Sequence, residues 1–204
     1  EKQKQFIGNA SHEIQTPLAI CQNRLEMLME DETLSEQQMG EIAKTCQTLE
    51  YVSKLNKSLL LLSKIDNSQF ASVEKVCLNE ILYRYLDDYQ EVYDYKGITL
   101  DVHEKNTFNI TMNGTLAVVL ITNLLKNAFV HNIYKGKIQI EITSSNIRFG
   151  NTGKDEHLDE KHIFERFYQG SKKEGSTGLG LAIVDAICRQ SQLSIQYQFV
   201  KGWH

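Results

Sequence analysis

Residues 115–131 read TLAVVLITNLLKNAFVH, and this stretch decides the class of fold. Its apolar residues lie nearly all round a helix, which predicts a largely buried helix from about Thr115 to His131. Asn123 and Asn127 stand four residues apart and therefore share one face of that helix. Two amides on a buried helix need partners, and two interpretations are open. Either they bond to neighbouring backbone, or Asn127 offers its oxygen to Mg²⁺, a hard cation that takes few protein ligands.

A glycine-rich segment, GSTGLGL at residues 175–181, opens into a second apolar helix that we predict from about Thr177 to Gln190. Glycines at a helix start allow close backbone approach, and the free N–H groups there attract phosphate. The cluster by itself is equally consistent with a loop or a helix cap. It lacks the Gly-Lys-Ser/Thr ending of a Walker A loop and the spacing of a dinucleotide-binding fold.

Asn151-Thr152-Gly153 and a long polar segment lie between these two helices. The tripeptide ends a predicted strand, where a polar side chain can read a base and glycine lets the base come close. The polar segment extends to Thr177 and contains one apolar island, IFERFY at 163–168. This profile suits a lid anchored by Phe164 and Phe167, or an ordinary long loop with an aromatic patch.

Strands alternate with helices through the rest of this part of the chain. The pattern predicts an α+β or layered α/β arrangement, with a mixed sheet and helices on one face. The predicted strands lie at 74–77, 99–102, 108–112, 137–143, 146–149 and 193–199, and a further helix lies at 79–95.

The first 66 residues have a different pattern, which predicts two long helices. Apolar residues recur in steps of three and four from Ile7 to Leu28 and again from Ile42 to Ile65. Ser35 followed by Gln38 has the form of a capping box that would start the second helix. Further apolar residues lie beside these rows, so each helix has a wider apolar face than one partner helix would cover. Two copies pairing into a four-helix bundle would cover them, and packing against the rest of the same chain is the alternative.

His12 lies on the first helix, about 160° around the helix axis from Ala10 and Ile14, which belong to its apolar face. We therefore predict that His12 faces solvent. An exposed imidazole is mostly neutral at about pH 7 and keeps a nitrogen lone pair that can attack phosphorus. Glu13 can orient the ring or accept its proton, and Thr16 lies one turn along on the same side. Pro17 removes a helix hydrogen bond there, which indicates a hinge or a tolerated kink. The alternative is an ordinary surface histidine.

The composition narrows the class of protein. A chain of 204 residues with 41% hydrophobic and 24% charged residues is typical of one or two globular domains. A net charge of -4 without a basic cluster argues against nucleic acid as a partner, and no apolar run approaches the ~18 residues of a membrane span. The four cysteines are scattered without a C-x-x-C pair, which favours reduced thiols in a cytosolic setting.

Together these motifs resemble, in the same order, those of the sensor histidine kinases of two-component signalling. HEIQTP at 12–17 resembles the H box, 123–127 the N box, 151–153 a shortened G1 box, 164–167 the F box and 176–180 the G2 box. The resemblance implies a dimerisation and histidine phosphotransfer domain at 1–68, in which a helical hairpin forms a dimeric four-helix bundle. It implies a Bergerat-type (GHKL) α/β sandwich at 73–204 that binds ATP and Mg²⁺.

The resemblance also implies roles for individual residues. His12 would be phosphorylated, Glu13 would assist removal of its proton, and Thr16 would position water when the protein dephosphorylates its partner. Asn127 would bind Mg²⁺. The other expected nucleotide contacts are Asn123, His131, Asn151 and Gly153 around the pocket, and Thr177, Gly178, Leu179 and Gly180 at the phosphates.

The implied partners are a second copy of the chain and the receiver domain of a response regulator, whose aspartate would take the phosphoryl group. The chain would be the cytoplasmic portion of a bacterial sensor that reaches the membrane through other segments.

Three departures from the family pattern matter. In the G1 box Asn151 replaces the usual aspartate and Asp155 replaces the second glycine. Gln169 stands where many relatives carry an arginine, for which Lys172 or Lys173 could substitute, and Ser176 replaces the first glycine of the G2 box. Two other hypotheses stay open. One is a signalling module that dimerises and binds a regulator without transferring phosphate, and the other is an ATPase of the same class that uses water as acceptor.

Overall fold

The computed structural model describes residues 2–170 and 176–204, with side chains from residue 13 onward. The chain divides into two compact units. One contains the residues up to Gln69 together with the described segment Ser176–Leu179, and the other contains Phe70–Gly170 and Gly180–His204. In these described ranges, no helix is both long enough and apolar enough to cross a bilayer.

The first unit is built on a helical hairpin, as the sequence predicts. Helix α1 spans Lys2–Met29 and continues through Pro17, and α2 spans Glu36–Asp66. The predicted capping box is present, because the Gln38 backbone N–H donates to Ser35 Oγ at 3.3 Å and the Ser35 N–H donates to Gln38 Oε1 at 2.9 Å. These bonds satisfy backbone donors that the first turn of α2 leaves unpaired, and they fix where that helix begins.

The second unit contains helices and two small sheets. In chain order its elements are β1 Glu74–Cys77, α3 Leu78–Val92, β2 Thr99–Glu104, β3 Asn109–Met112, α4 Gly114–Val130, β4 Lys137–Ile142, β5 Ile147–Asn151 and α5 Gly180–Gln190. A short 3-10 helix, Asp94–Lys96, follows α3. Strands β1 and β3 pair antiparallel, while β4 lies between β2, its parallel neighbour, and β5, its antiparallel neighbour. The prediction of mixed strand pairing is confirmed, although the described strands form two sheets rather than one.

The core of this unit lies between the helices and one face of β4. Ile138, Ile140 and Ile142 alternate along β4 and are fully buried, whereas Gln139 and Glu141 between them are half-buried on the opposite face. Helix α4 packs against α3, α5 and β5 and is buried on several sides, which explains why its sequence is apolar nearly all round.

Two predicted elements are wrong in extent or type. The helix predicted from Thr177 begins only at Gly180, because Gly178 has a φ of +66° and a left-handed residue cannot continue a right-handed helix. The predicted strand Leu193–Phe199 belongs to none of the strands in the described chain, although its side chains alternate between half-buried and exposed. The alternation arises from packing on one side, without the regular hydrogen-bonded neighbour that a strand requires.

Candidate functional site

Helix α4 places three predicted site residues in one row. Asn123, Asn127 and His131 follow one another at intervals of four, and all three are half-buried. The helix is fixed at its start by Asn113, whose side-chain oxygen accepts a hydrogen bond from the Leu116 N–H at 3.1 Å. At its end the His131 N–H donates to the Asn127 carbonyl at 3.0 Å. The row is therefore held by a helix capped at its start and buried along its length.

The two asparagines of the row have different surroundings. The Asn123 side-chain amide donates to the Val119 carbonyl at 2.8 Å, and its Oδ1 lies 3.3 Å from the position that a Cβ on Gly180 would occupy. Asn123 thus makes the backbone bond of the simpler interpretation and also contacts the first residue of α5. Within the described ranges the Asn127 side chain has no hydrogen-bond partner, so its amide oxygen is available for a ligand.

A buried lysine holds the end of α4. Lys96 Nζ donates to the carbonyls of Phe129 at 2.8 Å and Val130 at 3.0 Å, and only 9% of the residue is exposed. Its positive charge lies at the negative end of the helix dipole, while burial lowers the pKa of the ammonium group. This role was not predictable from the sequence, because a lysine between a helix and a strand resembles any surface lysine.

Asn151, the residue in place of the usual aspartate, ends β5 and is 5% exposed. Its backbone exchanges two hydrogen bonds with His204, from Asn151 N to the His204 carbonyl at 3.0 Å and from His204 N to the Asn151 carbonyl at 2.9 Å. Its side-chain nitrogen donates to the Thr152 carbonyl at 3.2 Å. No described residue donates to its Oδ1, which leaves one acceptor for a ligand.

The imidazole ring of His204 lies against Gly153. A Cβ on Gly153 would lie 2.6 Å from His204 Cδ2, so only glycine fits at this position. Because a carbonyl can only accept, His204 Nε2 donates to the Lys154 carbonyl at 2.8 Å, and the Tyr197 hydroxyl then donates to Nδ1 at 2.7 Å. Sequence reasoning missed His204, which lies 51 positions after Gly153 and belongs to no motif.

The glycine-rich segment is described from Ser176 onward. Gly178 takes the left-handed conformation, Leu179 is fully buried, and Gly180 begins α5, whose first N–H groups have no partners within the helix. Thr177, Gly178 and Leu179 group with the helical hairpin, and Gly180 groups with the other unit. Lys172, predicted to neutralise phosphate, lies outside the described residues.

The apolar island of the predicted lid packs differently from the prediction. Ile163 is 5% exposed and Phe164 is half-buried, whereas Phe167 is 57% exposed. The φ of Phe167 is +67°, in the left-handed region that residues other than glycine seldom adopt. The prediction of two phenylalanine anchors is wrong, because Phe167 is exposed, and Ile163 is the buried residue of the island.

Helix α1 carries the predicted phosphoacceptor region. In the single chain Glu13 and Thr16 are exposed, and so is Ile14 on the apolar face of the same helix. The His12 backbone belongs to α1, and its side chain lies outside the described residues.

Two family models match the chain. The His Kinase A (phospho-acceptor) domain matches residues 2–68, and the histidine kinase-, DNA gyrase B- and HSP90-like ATPase matches residues 112–202. The chain belongs to the sensor histidine kinases of two-component systems. Members of this family combine a phosphoacceptor helical hairpin with an ATP-binding α/β domain, and this chain contains both.

Individual relatives agree with this assignment. The heme sensor protein HssS of Staphylococcus epidermidis is 33% identical over 192 residues, which cover 92% of this chain and 42% of that protein. The fold is similar to full-length ShkA in complex with AMPPNP (TM-score 0.73, 18% identity, 98% of this chain and 44% of that one). It is also similar to the Acinetobacter baumannii histidine kinase AdeS (TM-score 0.63, 22% identity, 94% and 93%). The predicted fold, a hairpin followed by an α/β domain, is confirmed. The chain spans less than half the length of the curated relatives it matches.

Proposed function

We propose that this histidine kinase core transfers the γ-phosphoryl group of ATP to His12 and then to an aspartate of a response regulator. The observation that carries the proposal is the presence of a phosphoacceptor-type hairpin and an ATPase-type domain in one chain. The hairpin domain would extend over 1–68 and the ATP-binding domain over 73–204. An ATPase that used water as the phosphoryl acceptor would not need the phosphoacceptor-type hairpin domain.

The proposed transfer is a displacement at phosphorus. A ring nitrogen of His12 forms the new bond to the γ-phosphorus, the bond from phosphorus to the bridging oxygen breaks, and ADP leaves. Glu13 takes the proton that the imidazole loses. Both Glu13 and Thr16 are exposed on α1, where a phosphoryl donor and a water molecule can reach them. When the protein dephosphorylates the response regulator, Thr16 orients the water that attacks the phosphorylated aspartate.

The nucleotide contacts proposed in the second unit are Asn123, Asn127 and His131 on α4, Asn151 and Gly153 after β5, and Gly180 at the start of α5. Asn151 Oδ1 would accept from the adenine amino group without the charge of an aspartate. Thr177, Gly178 and Leu179 would contact the phosphates, together with Lys172.

The residues present fit a magnesium ion held mainly by the nucleotide. Mg²⁺ prefers oxygen ligands and keeps several waters, and Asn127 offers one amide oxygen that no described residue uses. Over the described ranges, no group of three or more His, Cys, Asp or Glu could hold a metal by itself, which is consistent with phosphate oxygens supplying most ligands. The ion would neutralise charge on the transferring phosphoryl group.

The proposed assembly is a homodimer through the hairpin. In the single chain Ile14, Ile20 and Met27 of α1 are 45%, 49% and 71% exposed, which leaves an apolar surface for the hairpin of a second copy. The chain would lie in the cytoplasm, and any membrane anchor would belong to other segments.

Labelled ATP tests the proposal directly. We expect the chain to acquire acid-labile, alkali-stable label, and His12→Gln to abolish it. His103→Gln is the matched control, because His103 is an exposed histidine on β2, away from all five motifs, and should label normally. Asn127→Ala should abolish labelling while leaving His12 in place. A folded, nucleotide-bound chain without label, or full labelling of His12→Gln, would refute the transfer to His12.

A further inference from the structure

The segment Asn151–Gly153 is tied to the end of α4 by a buried side chain that no motif includes. Asn132 follows His131, is 5% exposed, and its Oδ1 accepts a hydrogen bond from the Thr152 hydroxyl at 2.7 Å. Thr152 stands between Asn151 and Gly153. One hydrogen bond therefore joins the two places at which the nucleotide contacts of the second unit are proposed.

The polar atoms of this pair have further partners. Asn132 Oδ1 also accepts from the Ile133 N–H at 2.9 Å, and its Nδ2 donates to the Lys137 carbonyl at 3.0 Å. The Thr152 hydroxyl accepts from the Lys137 N–H at 2.8 Å, and the Thr152 N–H donates to the Lys137 carbonyl at 2.9 Å. A polar network whose members are paired in this way has one arrangement and resists displacement.

Gly136 provides the space in which the network closes. A Cβ on Gly136 would clash with both Asn132 Oδ1 and Thr152 Oγ1. Residues 132, 136 and 152 therefore fit together only with a glycine at the middle position. On the other side of the segment, the position of a Gly153 Cβ is 3.6 Å from the His131 carbonyl, so the segment and the helix end are neighbours.

We propose that Asn132 and Thr152 are positioning residues for the nucleotide site, which hold Asn151 and Gly153 at a fixed distance from the end of α4. This inference rests on the proposed function, because the ligand it concerns is ATP. A base that contacts both elements needs a constant gap between them, since contact groups held in place before binding spare the complex the free-energy cost of ordering them. The pair would act on nucleotide binding and not on the chemistry at His12.

The test compares variants of two threonines that lie at opposite ends of the β4–β5 strand pair, Thr152 after β5 and Thr143 after β4. Thr152→Val removes the hydroxyl with little change of shape, which leaves the Lys137 N–H without its acceptor, and Thr152→Ser restores the hydroxyl. Thr143→Val is the matched control, because the Thr143 hydroxyl bonds to the backbone of Asn146 at the other end of the same strand pair. Each variant is characterised by ADP affinity in calorimetry, by the ATP dependence of labelling, and by thermal unfolding.

We expect Thr152→Val to raise both the ADP dissociation constant and the half-saturating ATP concentration by about 10-fold, with the maximal labelling rate within about twofold. Thr152→Ser and Thr143→Val should bind ADP as the parent chain does, even where Thr143→Val lowers the melting temperature. Asn132→Ala removes the same bond from the other side, so the double variant should bind ADP no more weakly than the weaker-binding of the two single variants. It also provides the test if Thr152→Val does not fold.

Two results would overturn the inference while leaving the proposed function intact. One is a Thr152→Val or Asn132→Ala chain that folds and binds ADP as tightly as the parent. The other is an equal loss of affinity in Thr152→Val and Thr143→Val, which would show a general effect of strand stability. A folded parent chain that binds neither ADP nor ATP would refute the proposed function, and this inference with it.

Discussion

Replacement of Lys96 by methionine should destabilise the second unit by about 2 kcal/mol. Lys96 donates to two carbonyls of the last turn of α4, at 2.8 and 3.0 Å, and lies 3.5 Å from the Asn132 carbonyl. A hydrogen bond from a charged donor contributes about 1.5–3 kcal/mol. Burial opposes this gain, as the lowered pKa of Lys96 indicates, because an ammonium group loses hydration on leaving water.

The loss in free energy of unfolding of Lys96→Met follows from these opposing contributions. Methionine keeps most of the packing of the lysine stem, so the variant loses mainly the two short bonds and the favourable charge at the helix end. Because the two bonds share one ammonium group and its single desolvation cost, we take the value for one charged hydrogen bond, about 2 kcal/mol, as the net loss. For a unit of this size we take a urea m-value of about 2 kcal/mol/M, so the unfolding midpoint should fall by about 1 M.

Trp203 makes the measurement specific to this unit. It is the only tryptophan in the chain, and its ring lies 3.5 Å from the position of a Gly150 Cβ beside β5. Its fluorescence therefore follows unfolding of the second unit. The control is Lys75→Met, which removes an exposed lysine from β1 and should change the stability by less than about 0.5 kcal/mol. A Lys96→Met midpoint within about 0.2 M of the parent would refute this account of Lys96.

Three further predictions concern other parts of the chain. Ser35→Ala removes the capping box and should cost the hairpin about 1 kcal/mol, measured by circular dichroism during urea unfolding. Gly136→Ala should cost about 1–3 kcal/mol by Trp203 fluorescence, because its Cβ meets a buried amide, whereas Gly40→Ala on α2 has open space and should be neutral or stabilising. Alkylation with iodoacetamide at about pH 8 should distinguish the folded from the unfolded chain. Cys188, whose pKa is raised to about 11 by burial, should react only after unfolding, as mass spectrometry of the labelled peptides would show.

The helices were predictable because their signals are local. Apolar residues at steps of three and four predicted α1 and α2, and a serine three residues before a glutamine predicted the start of α2. The buried helix α4 was predicted to within a residue at each end. In each case the residues that form the element also carry its pattern, so neighbouring positions contain the information.

The sequence was less informative where a structure depends on a distant partner. Alternating side chains predicted a strand at Leu193–Phe199, but alternation records which side is buried and not whether a strand lies alongside. Two phenylalanines in the lid segment are equivalent in sequence, yet Phe164 is half-buried and Phe167 is 57% exposed. Asn123 and Asn127 were similarly equivalent in sequence, and only the structure shows that the first bonds to Val119.

By itself, the sequence determined the order of the motifs, the two-part organisation and the apolar faces of the helices, because these follow from periodicity and local chemistry. Only the tertiary structure decided which polar groups support the candidate site. Lys96 caps a helix that ends 34 positions later, Thr152 bonds to Asn132, and His204 packs on Gly153. Such contacts produce no periodic pattern in the sequence, because a hydrogen bond depends on where the folded backbone brings two atoms and not on their spacing along the chain.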